Sequence, residues 1–169
     1  MGHRCQGHKL RIAVTPPVQP PAATVGYSGT PLARKLGIRE ASTVALVGAP
    51  TGFTIALPPG ATIRRSARSR TDVTLWFVRS AAELSERIAE MAKRADKSAL
   101  WICWAKRASG VRTDVTEHAV RATAIAHGLV DFKIGAIDET WSGLRFALVS
   151  DRTNRARTQS GHRKGSSDR

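Results

Sequence analysis

The chain has 169 residues, 41% of them hydrophobic, and a formal charge of +14. That length makes one domain able to bury a core, and no apolar run approaches the roughly 18–20 residues that cross a membrane. The N-terminal MGHRCQGHKLRIAV lacks the apolar h-region of a secretory signal, and two cysteines, Cys5 and Cys103, do not make a disulfide framework, so the expected compartment is the cytoplasm with no membrane partner.

Residues 1–24 carry three bases and no acid, residues 151–169 six bases against two acids, and the 126 residues between them 18 bases against 11 acids. Half of the excess charge therefore sits in the two ends. The first end is rich in proline (Pro16, Pro17, Pro20, Pro21), and the second has no large apolar residue. These compositions predict a disordered leader over 1–25 and a disordered basic tail over 151–169, flanking a single domain at 26–150. An alternative start at Val25 is one reading of that boundary. Charge of this kind makes nucleic acid a partner to be weighed, acting through the tails. His3, Cys5 and His8 in HRCQGH place three metal-ligating side chains; a structural zinc site needs a fourth, so no metal is expected.

Thr30-Pro31 before LARKLGI predicts a short helix, with Thr30 as N-cap, Pro31 in the first turn and Gly37-Ile38 as a Schellman stop. STVALVGA (42–49) reads as a buried strand, uncharged and β-branched. APTGFTIAL has room for at most a turn or two of helix before Pro58-Pro59-Gly60. ATIRRS (61–66) and DVTLWFV (72–78) are further strands. Ser80 and Glu83 form a capping box for a helix to about Lys97, which hands over to the apolar strand ALWICW (99–104). Asp114 and Glu117 read as a second capping box, for a helix that stops at Gly128-Leu129. VDFKIGAI (130–137) and LRFALV (144–149) are strands joined by the turn DETWSG. Strands alternating with helices predict a small three-layer α/β sandwich. Its mixed sheet is mostly parallel, with a C-terminal antiparallel hairpin strand.

In such a sheet ligands bind where the parallel strands end. The segments leaving those ends are GAPTGF, AKRASGVRTD and DETWSG, and GYSGTP joins them if its helix runs antiparallel to the first strand. The candidate ligand-binding residues on this rim are Tyr27, Ser28, Lys106, Arg107, Ser109, Thr113, Trp141 and Ser142. Trp141 either stacks on a flat ligand or lids the end of the sheet. Lys106 and Arg107, before a Ser-Gly loop and a helix start, read as an anion site or as a solvated basic loop. Asp138 is the one candidate for general base, against a role in bonding its own turn, while Glu139 points to the opposite side.

Outside the rim, Arg64, Arg65, Arg68 and Arg70 in IRRSARSR make the densest basic patch of the domain. Lacking interleaved aromatics, it suits phosphates better than bases. Cys103 in its apolar strand reads as a structural thiol, and His118 and His127 are not spaced to share a helix face. G-x-G-x-x-G, G-x-S-x-G and the P-loop signature are absent, and arginines stand where an acid for a ribose would be needed, so no cofactor is expected.

The stretches GYSGTPLARKLGI, WAKRASGVRTDVTE and IDETWSGLRF together resemble one family, a bacterial group catalogued as domain of unknown function 3052 and common in high-GC Gram-positive bacteria. The resemblance covers residues 26–149, and the tails and residues 64–70 fall outside it. It implies a cytoplasmic single-domain protein and brings no activity with it. At the level of fold, the strand–helix–strand–helix–strand succession with its final hairpin strand is similar to the second half of class I methyltransferases that use S-adenosylmethionine. The shortened first half and the missing acid depart from that pattern. Together these readings predict a non-catalytic module whose rim binds a small anionic ligand or a protein partner. The alternatives are a divergent methyltransferase-like enzyme with Asp138 as its base, and a nucleic-acid-associated basic protein.

Overall fold

The computed structural model describes residues 30–149. The predicted leader and tail, and with them Tyr27 and Ser28, lie outside the described residues. In chain order the elements are α1 (Leu32–Leu36), β1 (Thr43–Val47), β2 (Thr62–Arg64), β3 (Val73–Val78), α2 (Ala81–Ala92), β4 (Ala99–Ala105), α3 (Glu117–Ala126), β5 (Leu129–Ala136) and β6 (Trp141–Leu148). One 3₁₀ turn, Lys93–Asp96, extends α2, and another, Arg107–Ser109, follows β4. Among the described residues no helix is long and apolar enough to cross a membrane.

The strands form one six-stranded sheet in the order β2-β1-β3-β4-β6-β5. β1 pairs in parallel with both β2 and β3, and β3 with β4, while β6 is antiparallel to β4 and to β5. The fold is thus the predicted α/β arrangement with a mixed sheet, and one refinement concerns the hairpin. Its second strand does not add to the edge: β6 inserts between β4 and β5, with Leu100 opposite Phe146 and Ala105 opposite Trp141. Burial accounts for the choice. β6 brings buried Trp141, Leu144 and Phe146, whereas β5 exposes Phe132, Lys133 and Ile134 along its middle. The more apolar strand takes the inner position, because it has two faces to cover.

β3 is buried along its whole length, which is why its sequence shows no alternation. Val73, Leu75 and Phe77 face a core shared with Leu32 and Leu36 of α1, Trp101 and Cys103. The opposite side holds Trp76 and Val78 with Leu84, Ile88 and Met91 of α2 and Val120 of α3. Each such large side chain contributes about 1.5–3 kcal/mol by leaving water. Three layers result, with a thin one over the first face.

α1 has only five residues and cannot stand alone. Gly37 closes it with φ of 81°, and the Ile38 N–H donates to the Ala33 carbonyl at 2.9 Å, the expected Schellman stop. The buried Trp101 indole donates to the Leu36 carbonyl at 3.1 Å, tying the helix end to the sheet. At the other end Pro31 occupies the cap position rather than the first turn.

One local expectation holds and another is corrected. Residues 50–57 stay within the turn or two allowed them: they make one turn, Phe53 N–H to Pro50 carbonyl at 3.2 Å, and no regular element after it. Gly52, at φ of 81°, breaks any helix there. The Asp114–Glu117 box is the one that does not form: Thr116 caps α3 by accepting the Ala119 N–H at 3.2 Å, and Glu117 is the first helical residue. Ser80 does cap α2, accepting the Glu83 N–H at 3.1 Å, but the Glu83 carboxylate reaches back to the Arg79 N–H at 3.0 Å.

Candidate functional site

β1, β3 and β4 end at Val47, Val78 and Ala105 on one edge of the sheet, where β5 also hands over to β6. From β1 the chain crosses first to β2 on one side and then to β3 on the other, so the strand order reverses between β1 and β3. A cleft of about 500 Å³ opens at that reversal. Its lining includes Phe53, Arg79, Arg112, Thr113, Asp138 and Trp141.

The turn after β1 is shaped by Gly48, at φ of 66°: a Cβ built there would stand 2.8 Å from the Phe77 carbonyl oxygen. Only glycine lets the 48–53 turn lie this close to the end of β3. Phe53 then meets Phe77 edge to face at 4.8 Å, and Phe77 meets Trp141 at 5.1 Å and 84°. The row tops the first core, and its two ends, Phe53 and Trp141, line the cleft while Phe77 is buried between them. Trp141 is 5% exposed, so it lids the core and lines the cleft with one edge.

Asp138 makes the turn that delivers Trp141. Its Oδ1 accepts the Thr140 N–H at 2.8 Å and the Trp141 N–H at 2.7 Å, the self-bonded turn expected of an aspartate at this point. The polar link is shorter than DETWSG implied, because Trp141 and Ser142 already belong to β6. Lys106 holds the same turn from β4: its Nζ donates to the Asp138 carbonyl at 2.6 Å and its N–H to the Thr140 carbonyl at 2.8 Å. The Ser109 hydroxyl in turn donates to the Lys106 carbonyl at 2.6 Å. Lys106, Arg107, Ser109 and Ser142 stand outside the cleft lining, Arg107 exposed to solvent. Thr113 lines it and donates to the Arg79 carbonyl at 3.2 Å, joining the ends of two strands.

Cys103 lies in the same core, fully buried. Burial pushes its thiol well above the ordinary value, and the negative charge of Asp138 adds to the effect. It stays protonated and is no nucleophile at neutral pH. His127 sits exposed at the end of α3, with Nδ1 2.9 Å from the Thr123 carbonyl, and His118 is exposed on the first turn. Among the described residues no three His, Cys, Asp or Glu side chains gather as metal ligands would.

Arg79 and Arg112, the cleft's two cations, were not singled out from sequence. The signal was present in Arg79, the first residue past a parallel strand, and in Arg112, within the loop leaving β4. Thr30, expected near this rim, lines a separate cleft of about 520 Å³ with Lys133 and Ile137. The 64–70 basic patch divides: Arg64 ends the edge strand β2, Arg65 is exposed beside it, and Arg68 and Arg70 line a hollow elsewhere.

Fold and cleft together define a small α/β domain with a ligand-sized opening at the carboxyl edge of its sheet. Compared with known proteins, the chain matches no family model and no curated protein.

Proposed function

We propose that this protein is a non-catalytic binding module, located in the cytoplasm, whose carboxyl-edge cleft takes a small anionic ligand with a flat apolar part. The observation that carries the reading is the position of the cleft at the strand-order reversal between β1 and β3, where open α/β sheets hold their ligands. Arg79 and Arg112 against Asp138 leave the lining with one net positive charge, and Phe53 and Trp141, braced by the buried Phe77 between them, give it aromatic character. A protein peptide carrying an acidic group and an aromatic ring would meet the same chemistry. The likeness to the family of domain of unknown function 3052 is part of this proposal, and rests on the segments that build α1, the loop after β4 and the β5–β6 turn.

Two commitments of side chains favour binding over catalysis: Oδ1 of Asp138 is taken up by its own turn, and Cys103 is sealed in the core. The methyltransferase-like alternative draws on the β3–α2–β4–α3–β5–β6 succession and on Asp138 in the cleft lining. Against it, β2 ends in Arg64 where a ribose would need an acid.

Tryptophan fluorescence tests the choice, with Trp141→Phe as the control that separates Trp141 from Trp76, Trp101 and Trp104. A panel of nucleotides, dicarboxylates and S-adenosylmethionine is titrated. Quenching by an anionic compound that Arg79→Gln and Arg112→Gln each weaken by about tenfold supports the module. Micromolar binding of S-adenosylmethionine that Asp138→Asn abolishes replaces it with the enzyme.

A further inference from the structure

At the opposite edge of the sheet, the segments that enter β3 and β4 lie side by side. They enclose a hollow of about 420 Å³ whose charged lining is Arg68, Arg70, Lys93, Arg94 and Lys97, with no acid among the lining residues. Arg94 is used for architecture. Its Nη1 donates to the Ala67 carbonyl and its Nη2 reaches Glu90 at 3.1 Å, clamping the arginine-rich loop onto the end of α2. The remaining four cations make no ion pair among the described residues, and all four are exposed. The acids next to the lining in sequence form no ion pair with them and stand outside the lining: Asp72 accepts the Thr43 N–H at 2.7 Å, and Asp96 is exposed.

A helix end accounts for part of this charge, since cations near the last carbonyls of α2 are favoured by its dipole. That argument covers Lys93 and Lys97. It does not cover Arg68 and Arg70, which a different segment brings to the same hollow and which an intrahelical argument would leave free to point anywhere. Like charges held together raise one another's energy, and a polyanion relieves that repulsion. A hydroxyl network underlies the cations. Thr71, buried and part of the lining, bonds Thr74 at 3.0 Å, and Thr74 bonds Ser98 at 2.9 Å, so polar groups line the hollow rather than an apolar wall. No aromatic side chain is among the lining residues, so the chemistry suits phosphate oxygens and not rings.

We infer that this amino-edge hollow binds a phosphate-bearing ligand through Arg68, Arg70, Lys93 and Lys97, at a site separate from the carboxyl-edge cleft. The phosphates belong either to a free oligophosphate or to a nucleic-acid backbone, and both arms of the test use the full chain. Tripolyphosphate is titrated by calorimetry, and a fluorescein-labelled single-stranded oligonucleotide by anisotropy over a range of salt. The site variant is Arg68→Gln/Arg70→Gln/Lys97→Gln; the control Arg34→Gln/Arg39→Gln/Lys133→Gln removes the same charge elsewhere.

Loss of tripolyphosphate affinity by at least about tenfold in the site variant, and not in the control, supports the site with a free oligophosphate as its ligand. If the oligonucleotide is the tighter ligand, the site variant lowers its salt slope by about 0.7 for each phosphate no longer neutralised, and the backbone is the source. Equal losses in site variant and control reduce the effect to net charge and overturn the inference. So does unchanged binding in the site variant, or no binding of either probe by the native chain. Thermal denaturation of both variants shows whether a loss comes from unfolding, and a variant that melts like the native chain makes the affinity reading valid.

Discussion

The carboxylate of Asp114 accepts the backbone N–H of Ala81 at 2.8 Å. An acid whose spacing assigns it to the start of α3 thereby caps the start of α2. Two helix N-termini, of α2 and α3, are held together at the cleft edge by this contact and by Thr113, two strand-end loops apart in sequence but adjacent in space.

Asp114→Ala should therefore destabilise the protein by about 1 kcal/mol, the usual loss when a helix N-terminus loses its capping oxygen. Glu117→Ala should cost less, since it removes only the exposed pair with Arg121 at 2.9 Å. Chemical denaturation of the two variants measures the order. If Asp114 acted on α3 alone, amide exchange would rise in α3; the capping bond to Ala81 places the rise in the first turn of α2.

Gly48→Ala should be the most damaging alanine substitution at any of the positive-φ glycines. The backbone at φ of 66° already disfavours a side chain, and the new Cβ would meet the Phe77 carbonyl at 2.8 Å. Strain of about 1–3 kcal/mol is expected, with loss of ligand-induced fluorescence change as the 48–53 turn lifts from β3. Gly52→Ala and Gly110→Ala, at φ of 81° and 74° with nothing within 4 Å, carry only the backbone part of that cost. Melting temperatures of the three variants in one buffer test the ranking; a Gly48→Ala protein as stable as the other two would remove the close approach from the account.

Cys103 makes stability depend on pH in the alkaline range. Its folded thiol titrates well above the ordinary value of 9.0, so the unfolded chain ionises where the folded chain does not. The contribution is complete below that value and is lost as pH rises above it, by about 1.4 kcal/mol per pH unit for one proton. Denaturation of the native chain and of Cys103→Ala between neutral pH and pH of about 10.5 should give curves that converge as pH rises, since the variant lacks this one term. Parallel curves would mean that the thiol is not sealed. Peptide mapping after iodoacetamide treatment should likewise find Cys103 unmodified until the protein unfolds.

Much of the fold was legible because its signals are local. Apolar runs without alternation mark strands covered on both faces, as in DVTLWFV and ALWICW. Ser80 three residues before Glu83, Gly37 before Ile38 and Asp138 before Thr140 and Trp141 each close a hydrogen bond within a few residues, so residue type and spacing determine them. The carboxyl-edge rim followed from strand direction alone, and Thr113, Asp138 and Trp141 do line a cleft there.

Tertiary structure alone decided the partners that lie far apart in the chain. Asp114 met Ala81 and not its own helix because Thr116 was already in place to cap α3. Lys106, read either as part of an anion site or as part of a solvated basic loop, bonds the Asp138 carbonyl instead, because β6 lies beside β4 and brings that turn within reach. Arg68 and Arg70 parted from Arg64 and joined Lys93 and Lys97, because the chain must return from the end of β2 to the start of β3 and passes the end of α2 on the way. A side chain's reach is set by its own spacing only within a turn or two; beyond that, strand order decides which groups share a surface.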